Sequence, residues 1–391
     1  MEVMKQGYKQ TDIGVIPEDW EVVKFTNCAT LKHGFQFREE HFSKNGIKVV
    51  KIGTLQYDGK LDFSNATFIN PSDLNKFSNF LLAVGDILMA LTGATLGKVS
   101  IVETNETLLQ NYRVGNFFNK PICVKEYVYV LLQSEFIQKA FKKLVNEAAQ
   151  PNIGKSDFDK FYVPIPSTLD EQTAIATALS DTDALIASLD KKIAKKQQIK
   201  QGAMQQLLTG KKRLSGFSGE WVEKTIGDAL SIRHGRDQKQ VECVNGKYPI
   251  LGTGGIIGKT NTPLYSKESV LIGRKGTIDK PYYFDTPFWT VDTLFYSEIN
   301  SGYDAKYLFY IFSLIDWYLY NEASGVPSLN AKVIESIKIN IPKNKSEQTA
   351  IAQILTDMDN EIAQLEKERD KYKELKAGMM QVLLTGRVRL V

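Results

Sequence analysis

From residue 171 to about 209, apolar side chains recur in alternating steps of four and three. They are Ile175, Leu179, Ile186, Leu189 and Ile193, with Thr182 filling the step between. This spacing is the seam of a coiled coil, not the alternation of a strand. A second seam keeps the rhythm through Ile351, Leu355, Met358, Ile362 and Leu365, and is expected to continue at Tyr372, Leu375, Met379 and Leu383. The first segment lacks proline and is rich in Ala, Gln, Lys and Leu, which favour helix. Asp170 and Ser346, each just before a glutamate, suit helix N-termini, and Gly210 and Gly386, each after Leu-Leu-Thr, suit C-termini. Each predicted helix holds roughly 38 residues and would be about 57 Å long. Gly202 and Gly378 lie inside the helices, where each costs about 1 kcal/mol against alanine, so close packing or a kink is expected there. Two such seams most simply bury each other as an antiparallel pair within the chain. The alternative is two separate helices that pair between chains.

Elsewhere the pattern shortens. KVVKIGT, DILMALTG and KFYVPIP read as short strands, as do YPILGT, SVLIGRKGT and SIKINIP further on, with Gly, Asn and Asp marking turns between them. Residues 125–145 and 305–324 read as amphipathic helices. The expected fold class is therefore α+β: two similar mixed α/β blocks separated by two long helices in an antiparallel coiled coil, with a pseudo-two-fold internal repeat. The expected boundaries are 1–170, 171–214, 215–345 and 346–391.

The repeat is written in the residues. EQTAIA stands at 171–176 and again at 347–352, and residues 171–214 match 347–390 at 24 of 44 positions without a gap. This is an internal duplication. Upstream the offset becomes 201, where Trp20 matches Trp221 and His33-Gly34 matches His234-Gly235. The middles align loosely: KIGTLQYDG resembles ILGTGGIIG, and GDILMALTGATLGK resembles SVLIGRKGTIDK. Near-identical segments thus alternate with blocks that share a frame and differ in content.

A chain of 391 residues with 43% hydrophobic content can bury two cores. Lys plus Arg total 49 against 45 acids, a balance too mild to announce a nucleic-acid binder by itself. Cys28, Cys123 and Cys243 are far apart in sequence and form no CxxC pair, which argues against a zinc ribbon or redox motif and for a reducing compartment. The opening MEVMKQGYKQTDIG has no apolar signal core, and no apolar run approaches the ~18 residues of a membrane span. A soluble, cytoplasmic protein is expected.

Several catalytic motifs are approached and missed. A P-loop needs glycine five residues before its Gly-Lys pair, but Thr92 stands there for Gly97-Lys98 and Thr253 for Gly258-Lys259. In GTGGIIG the last glycine, Gly258, falls one residue too late for a dinucleotide fingerprint. DKPYY at 279–283 approaches an amino-methyltransferase loop, but Lys280 replaces its first proline. The paired His33 and His234 suit structural roles at a turn. No Ser or Cys nucleophile motif is visible, and no metal site is expected. No catalytic residue is assigned.

Binding by exposed loops remains. Base edges are read by Arg, Lys, Gln, Asn, Ser and Thr, and phosphates are held by basic and hydroxyl groups. The candidates in the first block are Gln36, Arg38, Lys51, Thr54, Gln56, Thr92, Thr95, Lys98, Arg113 and Lys155. In the second they are Arg236, Gln238, Thr253, Lys259, Arg274, Lys275, Thr277 and Lys332. Lys98 and Arg274-Lys275 stand out, because flanking glycines would let the backbone approach DNA.

The pattern resembles the DNA specificity subunit of type I restriction–modification systems over essentially the whole chain. The carriers are Gly14, Ile16, Pro17, Trp20 and Glu21 near the start, the doubled EQTAIA, the PIP and NIP leads at 164–166 and 340–342, and the LLTG ends. The resemblance implies two target recognition domains, each reading half of a split double-stranded DNA sequence, held apart by the helices about one duplex turn of 34–36 Å. It further implies docking of two modification (methyltransferase) subunits, which use S-adenosylmethionine, and of restriction subunits (translocase and nuclease) that use ATP and Mg. The chain itself would bind no cofactor. Docking would fall at the helix ends: Glu171, Gln172, Leu207, Leu208, Glu347, Gln348, Leu383 and Leu384. A coiled-coil protein adaptor and a fused DNA methyltransferase are the rival readings.

Overall fold

A computed structural model describes residues 6–147 and 153–390. The chain divides into two compact units: residues up to Ser188 together with those from Arg369 onward, and Leu189–Glu368. Each unit combines one β-rich block with a stretch of both long helices.

In the first unit, four antiparallel strands lie in the order Val99–Ile101, Ile87–Ala90, Val114–Asn119, Ala29–His33. A five-stranded sheet contains a parallel pair, Ile47–Val50 beside Leu108–Gln110. The second unit repeats the plan. Its four-stranded sheet runs Leu230–Arg233, Leu294–Ile299, Ser269–Gly273, Tyr282–Phe284. Its smaller sheet pairs Tyr248–Gly252 in parallel with Trp289–Thr290 and antiparallel with Gly255–Thr260. In each unit a two-stranded ribbon joins the start of the block to its Ile-Pro exit: Glu21–Lys24 with Tyr162–Ile165, and Trp221–Thr225 with Lys338–Pro342.

The block helices are shorter than the apolar pattern predicts. The run 125–145 breaks at Ser134, whose backbone is extended and whose hydroxyl donates to the Leu131 carbonyl at 2.6 Å, giving Lys125–Gln133 and Glu135–Glu147. The run 305–324 stops as α-helix at Leu314; Asp316 then accepts from the Tyr318 N–H and starts a short 3-10 turn, Trp317–Tyr320.

The long helices span Leu169–Leu207 and Lys345–Leu383, 39 residues each. They begin earlier than Asp170 and Ser346 suggested, and the caps are their predecessors: Thr168 Oγ1 accepts from the Glu171 N–H and Asn344 Oδ1 from the Ser346 N–H. Gly210 and Gly386 do end them, at φ +72° and +67°. In the first unit Lys376 pairs with Asp183 at 2.7 Å, and Thr182 meets Met379. In the second, Lys196 pairs with Glu361 at 2.6 Å and Lys200 with Asp359. The two helix stretches are thus packed antiparallel within each unit, and the Lys376–Asp183 and Lys200–Asp359 pairs occupy equivalent positions in the repeat.

Ile175, Leu179, Leu189, Ile193, Ile351, Leu355, Ile362 and Leu365 are buried in the seams, and Ile186 and Met358 are half-buried. Leu375 does not belong to the seam, since it is 50% exposed. Strict alternation from Leu365 leads through Arg369, Tyr372 and Lys376 to Met379, and Lys376 buries its stem there while its ammonium reaches Asp183. Gly202 and Gly378 mark no close approach: a Cβ on either would meet nothing within 4 Å outside the local helix backbone. Cys28 and Cys123, remote in sequence, are neighbours in the first core, where contact with the Cys28 thiol and burial push the Cys123 thiol up.

The doubled Glu-Gln has a structural explanation. Glu347 is 2% exposed and receives Arg213 through Nε at 2.6 Å and a terminal nitrogen at 2.8 Å, with Trp221 Nε1 donating at 3.4 Å. Glu171 is 1% exposed and receives Arg389 in the same two-pronged way, with Trp20 Nε1 donating at 3.2 Å. Arg389 also grips Asp19 at 2.9 and 2.8 Å. Beside each glutamate, Gln172 accepts from the Val124 N–H at 3.0 Å and donates to the Pro166 carbonyl at 3.1 Å; Gln348 accepts from the Asp304 N–H at 3.0 Å and donates to the Pro342 carbonyl at 2.9 Å. Each clamp ties a helix start, a basic tail, the opening Trp and the Ile-Pro strand together. A buried carboxylate is tolerated when two-pronged charge-assisted bonds satisfy it.

Leu207, Leu208, Leu383 and Leu384, the other residues expected to dock partners, are also buried, in the cores of their units. All eight side chains at these helix ends are thus occupied inside the chain, and a docked subunit would meet their neighbours instead.

Candidate nucleic-acid interface

The His-Gly echo marks the foundation of one rim in each unit. After His33 the chain crosses the segment before Val114 so closely that a Cβ on Gly34 would lie 2.2 Å from the Gln110 carbonyl oxygen. The Phe35 N–H donates to that oxygen at 2.9 Å. After His234 the same crossing puts the Gly235 Cβ position 2.1 Å from the Val291 oxygen, and the Arg236 N–H donates to Thr290 at 2.8 Å. Only glycine fits either crossing. The histidine rings pack locally, His33 stacked on Tyr112 at 5.2 Å and His234 edge-on to Phe295 at 4.9 Å.

In the first unit this crossing gathers several strand ends. The bridge between Phe35 and Asn111 brings Gln36 toward Arg113; Asn111 N–H to Val50 brings in Lys51; and Leu91 N–H to Arg113 brings in Thr92. Gln36, Arg38 and Arg113 are exposed. Lys51 is half-buried, with its ammonium 3.3 Å from the Thr67 hydroxyl. Thr95 and Lys98 lie on the turn that leaves this rim, where the Lys98 ammonium sits 4.4 Å above the Tyr57 ring and Gln56 is the adjacent residue. Three candidates drop out on geometry. The Thr92 hydroxyl is buried without a hydrogen-bond partner among the described residues, so Thr92 marks the rim by its backbone and offers it no polar group. Thr54 is 8% exposed and its hydroxyl accepts from the Lys51 N–H, so it shapes the loop. Lys155 lines a cavity of about 210 Å³ with Lys120, beside Ala29 and Phe117, at the other end of the sheet.

In the second unit the rim is made by Arg236, the hairpin turn at 252–255, and residues 274–277 and 291–293. Val291 N–H reaches Leu251, the Tyr282 hydroxyl pins the Thr253 carbonyl at 2.6 Å, and Arg274 N–H reaches Thr293. Arg236 and Lys275 are exposed. Arg274 is held through Nη1 by Asp292 at 2.7 Å, which fixes its orientation and leaves its other guanidinium N–H groups to donate. Gly273 is forced by the turn itself, since its Cβ would lie 1.9 Å from the Thr277 carbonyl oxygen. Gln238 caps the next turn by accepting the Val241 and Glu242 N–H groups through its backbone. Lys332, exposed, opens the helix after Leu329, whose N–H donates to Arg274. Lys259 lies down the hairpin opposite Pro249, away from the turn. On the strand leading to the rim, Arg233 Nε donates to the Glu298 carboxylate at 2.8 Å, and that bond raises the pKa of Arg233.

Three rim residues escape a search for basic, glycine-flanked loops: Asn111, Tyr112 and Asp292. Their signal is positional, since NYR and VDT are the segments that each glycine crosses. Chemically, the rims offer guanidinium, ammonium, amide and hydroxyl groups on backbone pinned by strand ends. Among the described residues, no group of three or more His, Cys, Asp or Glu could hold a metal ion, and no helix is long and apolar enough to cross a membrane.

The family model of the type I restriction modification DNA specificity domain matches this chain twice, at residues 17–201 and 218–377. The putative type I restriction enzyme MjaX specificity subunit of Methanocaldococcus jannaschii is 26% identical across 99% of this chain and 97% of its own length. The MjaVIII specificity subunit of the same organism is 33% identical over 218 residues, and that match spans about half of each chain, 54% here and 51% there. Among solved structures, a type I restriction-modification S subunit from M. genitalium aligns with a TM-score of 0.66 at 18% identity, over 93% of this chain and 96% of that one. At that identity the likeness is one of fold.

Proposed function

The chain belongs to the type I restriction-modification DNA specificity family, and from that premise we propose that it is the sequence-reading, non-catalytic subunit of such a complex. Each unit reads one half of an asymmetric, bipartite DNA target through its rim, and the bases between the halves go unread. The observation that carries this reading is that one backbone frame builds both rims and then furnishes them with different side chains. Gln36, Lys51 and Arg113 stand in one, and Arg236, Thr253, Arg274 and Lys275 in the other. Two similar readers with different contents suit two different half-sites.

In this reading the chain also scaffolds two modification subunits and the restriction subunits, which supply S-adenosylmethionine-dependent methylation and ATP- and Mg-dependent translocation and cleavage in the cytoplasm. The near-balanced net charge of +4 fits a subunit that shares phosphate contacts with its partners. Mapping adenine methylation in the host, with the gene deleted and restored, tests it. Exchanging residues 215–345 for the block of another specificity subunit should change one half of the methylated sequence and leave the other. A change in both halves, or methylation that ignores the gene, rejects the reading.

A further inference from the structure

The second rim also carries an apolar feature. Ile256 and Ile257 follow the turn between Tyr248–Gly252 and Gly255–Thr260, and they are 68% and 52% exposed. Consecutive residues of a regular strand point to opposite faces, so one isoleucine of such a pair would ordinarily be turned inward. Here the ladder slips. Ile250 pairs with Gly258 and Leu251 with Ile256, which leaves Ile257 as the extra residue of a bulge, and a bulge re-aims its side chains. The turn adds little bulk of its own, because a Cβ on Gly254 or Gly255 would meet nothing within 4 Å.

The tip is held in place on the rim. The Tyr282 hydroxyl grips Thr253, and Val291 N–H grips Leu251. A Cβ on Gly252 would lie 3.3 Å from the Ile257 side chain and 3.8 Å from that of Val291. Val291 precedes Asp292, the partner of Arg274. The isoleucines therefore share a rim with Arg236, Arg274 and Lys275. In the first block, the residue aligned with Ile256 by the loop resemblance is Tyr57, also bare at 81% exposure.

We propose that Ile256 and Ile257 read thymine by its C5-methyl group in the major groove of the half-site taken by this unit, and so help to determine its specificity. The inference rests on the DNA-reading function above. A two-stranded ribbon fits the major groove, and there the thymine methyl is the one apolar mark on a base edge. The flanking cations supply the attraction to phosphate that brings such a tip to the groove.

The test uses the full chain assembled with its modification subunits, at one fixed salt concentration, on its mapped target. The block exchange above identifies which half-site belongs to this unit. Each thymidine of that half-site is replaced in turn by deoxyuridine, which removes only the methyl. Affinity should fall roughly fourfold at one or two positions, the value of one buried methyl contact. The Ile256→Ser/Ile257→Ser variant should bind the normal target correspondingly less tightly and lose no more affinity on deoxyuridine. The Ile256→Val/Ile257→Val variant, which keeps apolar branches, should retain the dependence. A half-site without thymine, no deoxyuridine effect in the parent complex, or an undiminished effect in the serine variant overturns the proposal while leaving the DNA reading intact. Failure of the serine variant to assemble with the modification subunits also overturns it, by making the tip a protein contact. Failure of the parent complex to prefer its mapped target rejects the underlying function instead.

Discussion

Removing the arginine of a clamp should cost more than neutralising its glutamate. In Arg389→Ala the Glu171 carboxylate, 1% exposed, keeps only the Trp20 indole N–H, at 3.2 Å. An ion left buried without its partner costs about 3–5 kcal/mol. For a unit of this size, each kcal/mol lowers Tm by about 2–4 °C, so the drop should be roughly 6–20 °C. Glu171→Gln strands no ion, although its amide NH2 must face a donor where a carboxylate oxygen accepted. Arg389 is 27% exposed and keeps both bonds to Asp19, at 2.9 and 2.8 Å. That change should cost about 1.5–3 kcal/mol, the value of a hydrogen bond to a charged group. The combined Arg389→Met/Glu171→Leu variant should be more stable than Arg389→Ala alone, because it buries no charge.

Urea unfolding of the purified chain, followed by calorimetry, measures all three. Equal costs for Arg389→Ala and Glu171→Gln, or a double variant no better than Arg389→Ala, would refute the account of the clamp as a satisfied buried charge. The acid limb gives an independent reading. The hydrogen bond from Arg389 holds the Asp19 carboxyl below its ordinary value, and the nearby charges of Arg389 and Lys9 act in the same direction. A depressed folded-state pKa means that Asp19 stabilises fully above the unfolded value of about 3.9, and that the contribution disappears as pH falls through the lower folded value. Arg389→Ala should therefore flatten the loss of stability below about pH 4.

Gly202→Ala and Gly378→Ala should each stabilise the chain by about 1 kcal/mol in chemical denaturation, because the helices offer open space at both positions; destabilisation would mean that something packs there. The hydroxyls of Tyr127 and Tyr307 are buried without a hydrogen-bond partner among the described residues, so Tyr127→Phe and Tyr307→Phe should be neutral or stabilising by about 1 kcal/mol. Tyr310→Phe is the contrast, since its hydroxyl donates to Asp359 at 2.8 Å and its loss should cost about 1 kcal/mol in the same assay.

What the residues disclosed in advance was what local periodicity and repetition encode. The seam at Ile175, Leu179 and Leu189 follows from steps of four and three, and the duplicated frame from the offset of 176. Leu375 was misplaced because its apolarity outweighed the register, which assigns the position to a lysine with a carboxylate within reach. Glu171 and Gln172 looked like surface, since a charged and an amide side chain near a helix start are ordinarily solvated. Glu171 is buried against Arg389, 218 residues away, and Gln172 against Val124, 48 residues away, and no local window contains that information. The rim side chains were legible by type. Their convergence was not, because it depends on the segments that pass under Gly34 and Gly235.

The same contacts explain why the copies diverge where they do. The clamp needs a glutamate, a glutamine, an arginine and a tryptophan at fixed places, and the crossing needs a glycine with no Cβ, so these letters recur. The side chains of Gln36, Arg113, Arg236 and Lys275 take no part in either device and are free to differ. This constrains how a reader can be exchanged. A block cut at 215 and 345 leaves Arg213 and Glu347 with the recipient but brings Trp221, Asp304 and Pro342 from the donor, and each of these meets the clamp. A donor lacking the opening tryptophan would leave Glu347, 2% exposed, without one of its donors. Such a chimera should lose stability before it shows any change of sequence preference, whereas a donor that keeps the tryptophan and the Ile-Pro exit should fold and read a new half-site.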